Sequence, residues 1–229
     1  MSAADTSSRG SGLRCAAHVA NLRGDLIAWL GDAWAPLRPF EEGGFEEWRA
    51  GWTALATATT GDTQDLLRVL RSVEDAGEAI LREHDALFVT RASFYAAPFE
   101  SVYIGASKDQ DGWSLNRLRG FPFKQVKVEY ARAGFLPPKE LLPDHLTTEL
   151  RYLAALCVAE ADAFTRNELG RARQLRERER DFLSQHLLCW LPTLCERLED
   201  SDERCFFPKA CRVMLTYLEQ ERDYVSEPT

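Results

Sequence analysis

An all-α domain is the fold class this sequence predicts, on three observations. Apolar residues recur with a period near 3.6 in segment after segment. No pair of segments alternates apolar and polar residues in the way a strand pair requires. The 229 residues are 45% hydrophobic and 28% charged, a globular composition long enough to bury a core without cross-links. One bundle-like helical domain over 13–229, with long irregular loops, satisfies all three.

The elements follow in order. Residues 1–12 are small, polar and rich in Gly and Ser, which predicts a disordered tail. They lack the apolar run of a secretory signal, so the protein is expected to stay in the cytosol. Val19, Leu22, Leu26, Trp29, Leu30, Ala33 and Leu37 make the first helical stripe, which Pro36 and Pro39 end. Phe45, Trp48, Trp52 and Leu55 predict a short second helix, closed by Thr60-Gly61-Asp62. Leu66, Leu70, Val73, Ala76, Ile80, His84, Leu87 and Phe88 form a long third stripe. The pattern lapses over 93–120, where the apolar 96–105 segment is not amphipathic and 108–112 reads as a solvated turn. A second helix-poor stretch covers 134–143. Leu146, Leu150, Leu153, Cys157, Ala161 and Phe164 restart the period, with Asp144 placed to cap that helix. The highly charged 171–181 segment reads as an exposed helix face or hinge. Phe182, His186, Leu187, Trp190, Leu194 and Leu198 form the next stripe, with Pro192 expected to kink or split it. Phe206, Ala210, Val213, Met214 and Tyr217 form the last.

Charge and missing motifs narrow the chemistry. A net charge of -8 excludes a general nucleic-acid binder and suits a basic partner. No run of about eighteen apolar residues exists, so no membrane insertion is expected. Cys15, Cys157, Cys189, Cys195, Cys205 and Cys211 contain no Cys-x-x-Cys pair and are expected to be free thiols, without metal or disulfide. None of His18, His84, His145 and His186 has Glu three positions before it, and no phosphate loop or nucleophile elbow is present. A small helical enzyme, a nucleotide-binding protein without a recognisable motif, and a structural adaptor using 171–181 stay open from the residues alone.

Two stretches carry a resemblance. One is Leu87-Phe88 followed ten residues later by Pro98-Phe99-Glu100-Ser101-Val102-Tyr103; the other is Asp144-His145-Leu146-Thr147-Thr148-Glu149-Leu150. Tyr130 with Gly134, Phe182-Leu183, His186-Leu187 and Trp190-Leu191-Pro192 support them. In this order, over about residues 66–217, they resemble the TorD/DmsD/NarJ family of redox-enzyme maturation chaperones. Departures from the pattern are His84, where relatives have Tyr or Trp, and Phe99, which follows a single proline and replaces a common Tyr. The resemblance implies a cytosolic chaperone, not an enzyme, with no cofactor of its own. Its partner would be the N-terminal twin-arginine signal peptide of a molybdopterin-containing oxidoreductase. The chaperone would aid cofactor insertion and hold back export until maturation, as a monomer or domain-swapped dimer.

By the same resemblance the peptide-binding residues are Leu87, Phe88, Pro98, Phe99, Glu100, Ser101, Tyr103, Gly112, Asp144 and His145, expected to meet in one surface groove. Each also has a plain structural reading. Asp144 suits an N-cap, and His145 would pack, half-exposed, in the first helical turn. Leu87 and Phe88 fit a core stripe; Pro98, Phe99 and Tyr103 could anchor the loop; Gly112 could supply a turn. Glu100 is harder to place, because a carboxylate among apolar neighbours needs a partner.

Overall fold

The computed structural model describes residues 3–34, 44–61, 63–71, 76–89, 94–201 and 206–227, with backbone alone at 3–10, 76–77 and 89. Its helices are α1 (Ala3–Ala33), α2 (Gly44–Ala58), α3 (Gln64–Arg71), α4 (Ala76–His84), the short α5 (Glu100–Tyr103), α6 (Phe121–Ala133), α7 (Leu146–Thr165), α8 (Leu169–Phe182), α9 (Leu188–Glu199) and α10 (Phe207–Ser226). The expected all-α class therefore holds. No helix among the described residues is long and apolar enough to cross a membrane.

Helix α7 is the centre, and all six residues of its predicted stripe are buried. Helix α1 lies along it on a face turned from the predicted stripe: Leu30 and Ala33 of that stripe are buried, but Val19, Leu26 and Trp29 are only half-buried. Leu22 is 54% exposed, whereas Ala20, Arg23, Gly24, Ile27, Leu30, Gly31 and Trp34 are buried. Gly24 and Gly31 explain the rotation: a Cβ on either would lie 3.3 Å from an α7 carbonyl, of Ala154 and Thr147 respectively. Two glycines seven residues apart let the backbones approach, and dispersion contacts with α7 replace missing side-chain area. Helix α1 is drawn from Ala3, within the segment assigned by composition to a tail. Leu37, Pro36, Pro39, Asp62, Val73 and Cys205 lie outside the described residues.

Other differences have local causes. No apolar stripe announces α6, because only Pro122, Val126 and Tyr130 are buried on it. The third stripe is not one helix: α4 continues into a π turn over Asp85–Val89. Lys108 to Gly112 is the tip of a small hairpin, β1 (Ser107–Asp109) with β2 (Gly112–Ser114). The Asp109 side chain accepts from the Asp111 amide at 2.9 Å, and Gly112 takes φ +118, open to glycine at little cost. Pro192 neither splits nor ends its helix. The disturbance sits one turn earlier, in a π turn over Leu183–Leu187 that makes α8 and α9 continuous.

The 171–181 segment is not simply a solvated face: Arg176 and Glu179 are buried. Arg23 of α1 pairs with Glu160 of α7 (2.6 Å), Glu179 of α8 and Glu221 of α10, and Arg176 pairs with Glu160 at 3.0 Å. Cys157, Glu179 and Glu221 bring ligand atoms within 4.8 Å of one another, and Arg23 supplies the positive charge among them. Burial pushes the Glu179 carboxyl up to about 7, against the pull of Arg23.

An aromatic cluster fills the other end. Trp48 and Trp52 pack on Phe206 at ring separations of 4.5 and 5.3 Å, and Trp34 and Phe88 on Phe207 at 5.5 and 5.2 Å. The Glu83 carboxylate accepts from the amides of Phe206 and Phe207, capping α10 from outside the helix. The expectation of free thiols fails at one pair: Cys195 and Cys211 form a disulfide between α9 and α10. Sequence spacing misses it because helix packing, not proximity along the chain, brings those Cα atoms to 5.6 Å.

Candidate functional site

The two resembling segments lie zipped together. Phe99 and His145 form an antiparallel bridge. The Glu100 amide donates to the Asp144 carbonyl, and the Leu146 amide donates to the Pro98 carbonyl, each at 3.0 Å. The Phe99 and His145 rings meet edge to face, 5.0 Å apart. Pro143, just before the turn, receives the Tyr130 hydroxyl on its carbonyl at 2.9 Å. That bond gives the Tyr-x-x-x-Gly element a structural task, with Gly134 ending α6 at φ +72.

The caps differ from the expected arrangement. His145, not Asp144, is the N-cap of α7, its Nδ1 accepting from the Thr147 amide at 3.1 Å. Asp144 caps the neighbouring helix instead, its carboxylate accepting from the Ser101 amide at 3.3 Å. Both are buried, so neither stands half-exposed. Burial, then the charges of Arg151 and His84, lowers the His145 imidazole to about 4, which leaves Nδ1 free to accept. Burial raises the Asp144 carboxyl, with the Ser101 amide hydrogen bond opposing and Glu100 adding.

Beneath the junction lies a buried acidic chain. Glu100 is 1% exposed, and its two oxygens lie 3.1 and 3.2 Å from His186 Nδ1. Glu149, fully buried, accepts from the Trp190 indole at 3.2 Å. Burial drives the Glu149 carboxyl well above its ordinary range, and the neighbouring Glu100 drives it further. Tyr103 stacks on Trp190 with ring centroids 5.8 Å apart. The Cys189 thiol, raised to about 12 by burial and by Glu100, donates to the His186 carbonyl at 2.8 Å.

The structure thus brings Pro98, Phe99, Glu100, Ser101, Asp144 and His145 into one junction, with Tyr103 behind it. Leu87 joins through its carbonyl, which accepts from the Ala96 amide at 2.8 Å. Phe88 faces the aromatic cluster instead. Gly112 is in the hairpin, which Lys108 and Trp113 pin to Asp200 at the end of α9. Of the junction residues only Phe99 is more than marginally accessible, so they do not wall an open groove. Apolar surface beside the junction comes from the 115–121 stretch. The Asn116 amide donates to the Val102 carbonyl at 2.9 Å, and Gly120 rests against Ser101. That placement leaves Leu118 and Phe121 48% and 70% exposed.

His186 is the residue sequence reasoning missed. Its place in an apolar stripe reads as core, and 86 residues separate it from Glu100. The available signal was Glu100 itself, a carboxylate that demanded a partner.

The family model of the nitrate reductase delta subunit matches residues 46–196, which contain every junction residue and His186. The chain belongs to that family, the NarJ/TorD group. It is 28% identical over 165 residues to the chaperone protein TorD of Vibrio cholerae serotype O1, covering 71% of this chain and 70% of TorD. It is 51% identical over 120 residues to the selenate reductase assembly chaperone protein of Thauera selenatis, covering 47% of this chain and 57% of the relative. It is 35% identical over 106 residues to the chlorate reductase assembly chaperone protein of Ideonella dechloratans, covering 44% and 50%. No solved structure matches the chain.

Proposed function

We propose that the protein is a cytosolic chaperone that binds the N-terminal twin-arginine signal peptide of a molybdopterin-containing oxidoreductase, aids cofactor insertion and holds back export until the client is mature. The observation that carries the reading is family membership across 46–196, with relatives named for the assembly of selenate and chlorate reductases. The geometry supports it in two ways. Half-buried Phe99 and exposed Leu118 and Phe121 offer an apolar surface on a rigid helical frame. The net charge of -8 gives an acidic field that suits a basic partner, while the buried Glu100, Asp144 and Glu149 hold the frame beneath that surface. In this reading Glu100, Ser101, Asp144 and His145 shape the surface through the backbone they hold, while Leu87, Pro98 and Tyr103 support it.

The test is calorimetric titration with a synthetic peptide carrying two consecutive arginines followed by an apolar stretch. Each exposed charge pair contributes about 0–1 kcal/mol and is screened by salt, whereas each buried leucine-sized side chain contributes roughly 1.5–3 kcal/mol. Binding should therefore survive replacement of both arginines by lysine, and moderate salt, with modest loss. It should collapse when the apolar stretch is made polar, or when Phe121→Ser removes the exposed ring. Absence of binding by the parent peptide, or the reverse order of sensitivities, would overturn the reading.

A further inference from the structure

A cavity of about 290 Å³ opens between α6, α8 and the π turn, on the solvent side of His186. Three carboxylates line it, Glu129, Glu177 and Asp181, against one guanidinium, Arg178. Acidic lining alone is common and proves little. The second observation is His186, 7% exposed, at the cavity wall. Its Nδ1 is committed to Glu100, while Nε2 has no partner among the described residues. With the ring proton on Nδ1, Nε2 presents a lone pair. Acceptors dominate the lining, with three carboxylates and Nε2 set against the donors of Arg178, Gln174 and Gln185, and their spread around a small volume suits the planar donor array of a guanidinium.

The cavity's own arginine shows the chemistry. Arg178 sits 3.5 Å from Glu129, and Asp181 shares its carboxylate with Arg180. Glu177 carries no ion pair among the described residues, so negative charge is left over. We infer that this cavity is a guanidinium subsite, taking an arginine side chain of a bound peptide, with Glu177 and Asp181 at its mouth and His186 Nε2 at its wall. The inference rests on the peptide-binding reading and adds where the arginine goes. Helix α6 supplies the line between the two ends: Phe121, Gln125 and Glu129 are spaced one turn apart along one ridge. Eight residues of helix span about 12 Å, the reach of about four extended residues. An arginine in the cavity thus leaves an apolar stretch a few residues away within reach of Phe121 and Leu118.

The test uses the full chain and two probes. First, the His186 imidazole resonances are followed by NMR during titration with L-arginine amide, with L-lysine amide as the control. The expected result is a saturable shift for arginine amide, a weaker response to lysine amide, and affinity lower by about tenfold in the Glu177→Gln/Asp181→Asn variant, whose two exposed side chains can change without disturbing the core. Unmoved His186 resonances, an equal response to lysine amide, or an unchanged titration in the variant would overturn the subsite. Second, the twin-arginine peptide is titrated into parent and variant. Peptide binding of unchanged affinity in the variant keeps the client reading and removes the subsite. Arginine-amide binding at His186 without any peptide binding removes the client reading and keeps the subsite.

Discussion

At the residue scale, the junction is a set of buried polar groups whose protonation depends on one another. Glu149 and His145 are displaced in opposite directions, and stability should follow both. A carboxyl whose pKa rises on folding holds its proton more tightly in the native state, so its contribution is complete at low pH and is lost as pH climbs from the ordinary 4.5 through the folded value. An imidazole lowered to about 4 does the reverse: its contribution is complete above the ordinary 6.5 and is lost as pH falls from 6.5 through about 4. That window is worth on the order of 3 kcal/mol for His145. Glu149→Gln imitates the protonated carboxyl and keeps an oxygen for the Trp190 indole. Urea unfolding at a series of pH values should show the parent losing stability towards alkaline pH and the variant losing less of it. Parallel curves for the two proteins would mean that Glu149 is ionised in the native state.

At the element scale, close approach decides helix positions more than apolar area does. Gly51 of α2 faces Trp29 of α1, and a Cβ there would lie 2.2 Å from the indole ring. Trp29 is in turn held edge to face on Trp52 at 5.4 Å. Replacing Gly by Ala inside a helix favours folding by about 1 kcal/mol through propensity, but overpacking typically costs about 1–3 kcal/mol. Gly51→Ala should therefore destabilise the protein despite the better helix former. In a Trp29→Ala background the same change should be neutral or stabilising. Thermal or urea denaturation of the four proteins of this cycle measures the coupling, and simple additivity would show that the two residues do not compete for space. The π turn over Leu183–Leu187 is a second device of this kind, and it holds the residue that reaches Glu100.

At the scale of the whole molecule, Arg23 ties the first helix to α7, α8 and α10, all far from it in sequence. Its partners Glu160, Glu179 and Glu221 stand 137, 156 and 198 residues away. Removing a buried ion-pair partner leaves uncompensated charge, at a cost of about 3–5 kcal/mol. Arg23→Ala leaves three glutamates with Arg176 alone, so it should lower the unfolding free energy read from urea titration by that amount near neutral pH. The loss should shrink as acidification protonates Glu179, which is half complete near pH 7. An Arg23→Ala protein as stable as the parent at pH 7 would show that the network is dispensable.

What the sequence determined alone was the helical class, the run of α7 and the core stripe of α10, because those depend on a period that neighbouring residues set among themselves. It also marked Glu100, Asp144 and His145 for attention, through the order of two short segments. Only the tertiary structure decided what these residues do. Asp144 caps α5 and His145 caps α7 because the 98–101 and 143–146 segments cross, which no local pattern encodes. The face of α1 escaped the apolar count because its contact with α7 runs through Gly24, Gly31 and a buried arginine, none of which reads as hydrophobic. His186 became a partner of Glu100 only when α9 and its preceding π turn packed against α5. The physical reason is common to all of them: a helical period is a property of neighbours in the chain, whereas a buried charge finds its counterpart only when helices from distant segments have closed around both.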